Sequence, residues 1–278
     1  MHTFNTFLTS LCLLGLSLTT SAQIVPKEVE IIKEQSGKAY RIYARNTNHC
    51  PVSVIFSFEA ENTCGQPSAH VLVEAQARKQ FLFEVAACDS RKAYKFNYRY
   101  TYWLGDIQLS SHDNDFIYTL PFSPGSTYKV MQGYFGDYSH QGEYALDFQM
   151  PEGTPIVAMR GGVVVQVKQD SDRGGPNISF ANQGNYVLIY HEDGTFACYF
   201  HLRKNGSMVR EGARVAQGQR IGYSGNTGWS SEPHLHVSVL SYRPKVNAKN
   251  MITYSTFFRT SQQEKVILEK GKNYTAVR

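Results

Sequence analysis

Apolar and polar residues alternate with a period of two along most of this chain. After residue 22 no segment of useful length carries the 3.6-residue period of an amphipathic helix. That excludes helical bundles and alternating α/β folds and leaves an all-β chain. Val52, Val54, Phe56 and Phe58 alternate with Ser53, Ile55, Ser57 and Glu59, and Tyr94, Phe96, Tyr98, Tyr100 and Tyr102 with Lys95, Asn97, Arg99 and Thr101. Several such strands at short spacing predict an N-terminal β-sandwich-like domain over 23–122. Composition shifts at Leu120-Pro121-Phe122-Ser123-Pro124-Gly125, and beyond it the chain is rich in glycine and strands. An antiparallel β domain with C-terminal strands is expected over 123–278, with strands near Thr154–Ala158, Gly162–Val167, Tyr186–His191, Thr195–His201 and Gln219–Tyr223. Asp170–Gln183 is a polar loop, long for a hairpin connection and therefore a functional candidate.

With 278 residues, 42% of them hydrophobic and 18% charged, the chain has room for two folded domains. A formal charge of +5, not gathered in one block, suits an anionic polymer or surface. No recognition helix, zinc finger or RNA-binding aromatic signature is present, so nucleic acid is not expected as a partner.

Residues 1–22 read as a signal peptide, with an apolar run from Phe7 to Leu18 and small residues Thr20-Ser21-Ala22 before Gln23. The run falls short of the ~20 residues of a membrane span. A periplasmic or secreted protein, not membrane-spanning after signal removal, is expected. Export permits disulfides, and Cys50, Cys64, Cys88 and Cys198 remain. A strand over Val52–Asn62 separates Cys50 from Cys64 beyond bridging distance, and two further strands return Cys88 to the Cys64 end. This predicts Cys64–Cys88.

The chemistry gathers in the second half. In His234-Leu235-His236-Val237-Ser238-Val239 the alternation sends both imidazoles to one face, roughly 7 Å apart. Alone, the pair reads more readily as an ordinary strand that carries two histidines. Three further positions accompany it: His140 in Tyr138-Ser139-His140-Gln141-Gly142, Asp147 in Ala145-Leu146-Asp147-Phe148, and His201 at the end of Phe196–His201. Alternation places Phe196, Cys198 and Phe200 on the face opposite His201, so Cys198 reads as a core residue. His191, beginning a Glu-Asp-Gly turn, is expected to be exposed, and His112-Asp113-Asn114-Asp115 reads as a polar turn or a small cation loop. A catalytic zinc site needs three protein ligands and an open position. His140, Asp147 and one of His234 and His236 would supply them, leaving the other histidine and His201 for proton transfer. No His-Glu-x-x-His helix is present.

From about Tyr134 to Leu240 the chain resembles the lysostaphin-type zinc metallopeptidases, which cleave stems or cross-bridges of bacterial peptidoglycan. The matching segments are His140-Gln-Gly through Asp147-Phe, Met150-Pro-Glu-Gly-Thr-Pro-Ile-Val-Ala, Gly184-Asn-Tyr-Val, Tyr199-Phe-His201-Leu, Val215-Ala-Gln-Gly-Gln-Arg-Ile-Gly, and Ser224-Gly-Asn-Thr-Gly through His234-Leu-His236. The resemblance implies a compact antiparallel fold with a substrate groove, a Zn2+ ion on His140, Asp147 and His236, and a catalytic pair of His201 and His234. It implies a zinc metalloendopeptidase acting on a peptidoglycan peptide, with an accessory N-terminal domain that would bind wall or an envelope protein partner. The alternative is an inactive relative that binds peptidoglycan or activates a hydrolase. Such relatives lose ligands or catalytic histidines, and here all five positions are filled. Six residues separate His140 from Asp147, an extended loop for this family. Tyr138 is a candidate hydrogen-bond donor to the oxyanion or a groove-wall aromatic, and Asn185 a site-shaping residue or ordinary turn chemistry.

Overall fold

Alternating segments become strands throughout, and the chain is all-β apart from one short 3-10 turn, Ile178–Gln183, among the described residues. The computed structural model describes residues 24, 26–65, 69–109, 112–247 and 249–277, so the expected signal peptide lies outside them. No helix among the described residues is long and apolar enough to cross a membrane. Two compact units are present. One takes in Lys27–Thr47 and Pro51–Leu104, the other Asn48–Cys50 and Gly105–Arg278.

In the first unit a four-stranded sheet runs in the order Val29–Ser36, Ala39–Asn46, Gln80–Ala87, Thr63–Cys64. A three-stranded sheet runs His70–Val73, Val52–Glu61, Lys95–Leu104. The two share an aromatic core: Phe83 of the first sheet meets Phe56 of the second edge-on at 5.5 Å, and Phe58 and Phe96 at 5.9 and 6.3 Å. Burying rings of this size contributes about 1.5–3 kcal/mol each. Thr63 and Cys64 pair with Ala87 and Ala86, which brings Cys64 beside Cys88. The expected Cys64–Cys88 disulfide is formed, with the Cα atoms 5.0 Å apart.

The second unit is organised by an 11-stranded sheet. Its central run is Asn185–Tyr190, Phe196–Ser207, His234–Tyr242, Ala145–Gln149, Thr127–Gln132, with antiparallel neighbours throughout. Leu235, Val237 and Val239 join Leu146, Phe148, Val187, Ile189 and Tyr199 in one apolar core. Residues 105–122 contribute Tyr118, Leu120 and Phe122 to the same core. Because side chains alternate across a strand, burying Leu235 and Val237 commits His234 and His236 to the other face.

The Asp170–Gln183 loop is held against the segment before the two-histidine strand. Gly174–Gly175 pairs in parallel with Gly228–Trp229, and the Trp229 indole donates to the Pro176 carbonyl at 3.0 Å. A Cβ on Gly174 would lie 2.0 Å from the Asn226 carbonyl oxygen, so this approach requires glycine.

One expectation is overturned: His191 is buried, not exposed. The Glu-Asp-Gly turn folds back on it, with His191 N–H bonded to Thr195 O at 2.8 Å and Nδ1 3.0 Å from Thr195 Oγ1. Arg160 pairs with Asp193 of the same turn at 2.6 Å. His112-Asp113-Asn114-Asp115 is a polar turn: His112 stacks on Tyr254 at 4.6 Å, and Asp115 pairs with Lys265.

Candidate metal centre and histidine pair

Asp147 lies in the sheet between two polar neighbours, His236 on one side and Gln132 on the other. Its Oδ1 is 2.9 Å from His236 Nδ1 and 3.2 Å from His140 Nε2, and those two nitrogens are 3.1 Å apart. His140 reaches this point from the turn after Gly133, where its Nδ1–H donates to the Gly133 carbonyl at 2.9 Å. That bond fixes the tautomer and aims the Nε2 lone pair at the carboxylate. Two imidazole nitrogens and a carboxylate oxygen converging on one point need positive charge there, as a shared proton or a metal cation. The triangle edges of 2.9–3.2 Å are close to the ~3.3 Å edge of a tetrahedron with bonds of 2.0–2.1 Å. His140, Asp147 and His236 can therefore hold a metal ion.

The charges respond to the same geometry. Burial pushes the Asp147 carboxyl upward, but hydrogen bonds and charge from His140 and His236 outweigh it and hold the group well below the usual carboxylate range. Burial likewise lowers His140, yet Asp147 and the Gly133 carbonyl leave it raised overall. His236 is lowered, by burial first, with Asp147 opposing and the charge of His140 adding.

His234 and His201 form an adjoining corner, their ring centroids 4.5 Å apart. His234 Nδ1 lies 2.8 Å from the Glu232 carbonyl and 3.1 Å from Ser230 Oγ, and its Nε2 lies 3.9 Å from Asp147 Oδ1. His201 Nδ1–H donates to the Thr227 carbonyl at 2.7 Å. Both rings thus commit Nδ1 to a carbonyl and leave Nε2 for exchange. Burial, then the charges of His234 and His236, lowers His201 to about 3, so this ring is neutral at physiological pH.

Residues 141–248 match the description Peptidase family M23. This segment belongs to peptidase family M23. His140 precedes the matched segment by one residue. An uncharacterized metalloprotease of Buchnera aphidicola is 36% identical over 128 residues, covering 46% of this chain and 30% of that protein. The peptidoglycan DD-endopeptidase ShyA of Vibrio cholerae is 42% identical over 102 residues, 37% of this chain and 21% of that protein. The chain therefore spans less than a third of the length of these relatives. The catalytic domain of lysostaphin from Staphylococcus simulans is 27% identical, covering 46% of this chain and 87% of that one, with a TM-score of 0.33.

The M23 segment and the turn before it bring together all five residues singled out in the sequence. Tyr138 is 58% exposed, its ring 5.5 Å from Trp229. Asn185 is fully buried: its side chain donates to Ser171 O and Leu202 O and accepts from Ser171 N–H, while its backbone N–H donates to Thr227 Oγ1. It ties Ser171, near the start of the Asp170–Gln183 loop, to Leu202, the residue after His201, which exceeds ordinary turn chemistry. Cys198 is buried, and burial pushes its thiol upward, so it is inert. Sequence reading missed Gln132, Gly133, Thr227 and Ser230. Only Gln132 left a trace, a polar side chain closing a strand just before the Gly that begins the His140 turn.

Proposed function

We propose that this chain is an exported zinc metalloendopeptidase that hydrolyses peptide cross-links of bacterial peptidoglycan in the periplasm or outside the cell. The observation that carries the reading is the convergence of His140, Asp147 and His236 on one point, with His234 and His201 alongside. His140, Asp147 and His236 are assigned as metal ligands, and His201 and His234 as the catalytic pair. A donor set of two imidazoles and one carboxylate suits Zn2+ and leaves a coordination position open. When bound, zinc supplies Lewis acidity and a nucleophile at neutral pH by lowering the pKa of water. The chain's own part is proton transfer and orientation. The Nε2 atoms of His201 and His234 take the proton of the attacking water and return it to the leaving amine. Thr227 and Glu232 hold those rings through Nδ1 so that Nε2 stays available. Whichever of the two rings carries the proton would stabilise the oxyanion, with Tyr138 as a further candidate donor.

The name of ShyA supports a D,D cross-link as the bond cut, and the diaminopimelate type is the proposed substrate. The first unit, ending at Leu104, is proposed as an accessory domain that binds wall or docks an envelope protein, and the unit from Gly105 onward as the catalytic domain, which takes in residues 105–122 that the sequence assigns to the first domain. The test is release of soluble fragments from purified sacculi by the mature protein, with chelator and zinc add-back. Zinc-dependent release supports the enzyme. Sedimentation with sacculi without release, by protein carrying stoichiometric zinc, supports the peptidoglycan-binding alternative instead.

A further inference from the structure

We infer that Gln132 is a positioning residue: it occupies Oδ2 of Asp147 so that the carboxylate presents Oδ1 alone to the metal, and it ties that carboxylate to the loop bearing His140. The inference rests on the assignment of His140, Asp147 and His236 as ligands. Gln132 ends the strand Thr127–Gln132 and is buried, directly opposite Asp147 in register. Its Nε2 donates to Asp147 Oδ2 at 2.9 Å and to Ser139 Oγ at 2.8 Å. Its Oε1 accepts from the backbone N–H of Tyr138 at 3.2 Å and of Ser139 at 3.4 Å. Both donors and both acceptor sites of the amide are thereby used. Reversing the amide would set its oxygen against the carboxylate and its NH2 against two N–H groups, so the network fixes its orientation.

The local backbone is shaped around this side chain. A Cβ on Gly136 would lie 2.4 Å from Gln132 Cγ, so the turn closes over Gln132 only with glycine there. The next residue, Gly133, supplies the carbonyl that holds His140 Nδ1. Two consecutive residues therefore hold two of the three proposed ligands, across a loop of six residues between His140 and Asp147. A carboxylate with both oxygens free can rotate or chelate. With Oδ2 held by Gln132, Oδ1 is the oxygen left between His140 Nε2 and His236 Nδ1. Outer partners of this kind change metal affinity by roughly 10–100-fold when removed.

The test measures zinc affinity of the whole chain by competition with a chromophoric chelator, in wild type, D147A and Q132M. Methionine has similar length, no donor and no charge. The expected result is loss of stoichiometric zinc in D147A and affinity lower by roughly 10–100-fold in Q132M. The metal-free melting midpoint of Q132M falls, because the Tyr138 and Ser139 N–H groups and Asp147 Oδ2 lose their amide partner, and its Co2+ ligand-field bands shift because Asp147 can offer both oxygens. Wild-type affinity and cobalt bands in Q132M, with D147A losing metal, overturn the inference and leave the ligand assignment standing. Metal retained by D147A overturns the assignment and the inference with it. Should Q132M not fold, Q132E keeps acceptors for Tyr138 and Ser139 but offers Asp147 no N–H. An unchanged cobalt spectrum in Q132E then overturns the inference.

Discussion

The imidazole of His201 comes within 4.5 Å of that of His234 through a left-handed backbone at His201, φ 64°. Phe200 pairs directly with His236 and shares its face, so regular alternation would send His201 to the opposite side. The left-handed residue reverses that direction, and the sheet register shifts just beyond it. A non-glycine residue in this region costs of order 1–3 kcal/mol and persists where surrounding bonds hold it. Here the Thr227 carbonyl and the Asn185 network do so.

His201→Ala and His234→Ala should each lower peptidoglycan hydrolysis by roughly 10²–10⁴-fold, the usual worth of a general acid or base. Zinc stoichiometry should stay at the wild-type value. Metal analysis beside the hydrolysis rate checks both halves, and loss of zinc in either variant would move that histidine into the ligand set.

Asn185→Ala should act mainly on the His201 corner. It leaves Ser171 N–H, Ser171 O and Leu202 O without their amide partner, at about 1–3 kcal/mol for each group that finds no replacement. The expected signature is a lowered melting midpoint and a fall in kcat with zinc affinity nearly unchanged. An equal fall in zinc affinity would show that Asn185 supports the metal centre and not the His201 corner.

Much of this arrangement was legible in the residues. Alternation marked the strands and the shared face of His234 and His236, because burying Leu235 and Val237 leaves the pair no other side. Grouping His140 and Asp147 with them rested on the ligands a zinc site needs, and the choice of His236 over His234 as ligand came from family resemblance, since no short-range pattern links positions joined by sheet pairing. The position of His201 was not legible from alternation, which a single left-handed residue defeats. Gln132 was missed because its partners, Asp147 and the 138–139 backbone, meet it only in the fold. His191 was misread because a polar turn normally faces water, whereas this one folds over its own histidine.

That buried ring makes a pH prediction. Burial, followed by the charge of Arg160 and a smaller effect from His112, lowers His191 to about 3, while Asp193 opposes. The folded ring is neutral while the unfolded chain binds a proton below about 6.5. Its stabilising contribution is therefore full above pH 6.5 and is lost as pH falls toward 3, by about 2 kcal/mol at pH 5. The neighbouring Asp193, lowered to about 2, titrates below that window. His191→Gln should flatten the fall in melting midpoint between pH 7 and pH 5, as read by thermal scans. A fall as steep as that of wild type would place the acid sensitivity elsewhere.

The most direct test of the central claim is mass analysis of an isolated, cross-linked peptidoglycan dimer incubated with the mature, zinc-loaded protein. The expected products are monomers that together carry one added water, cut at the cross-link and absent when chelator removes the metal. An intact dimer after incubation with protein of full zinc stoichiometry, across both diaminopimelate and glycine-bridged substrates, would contradict it.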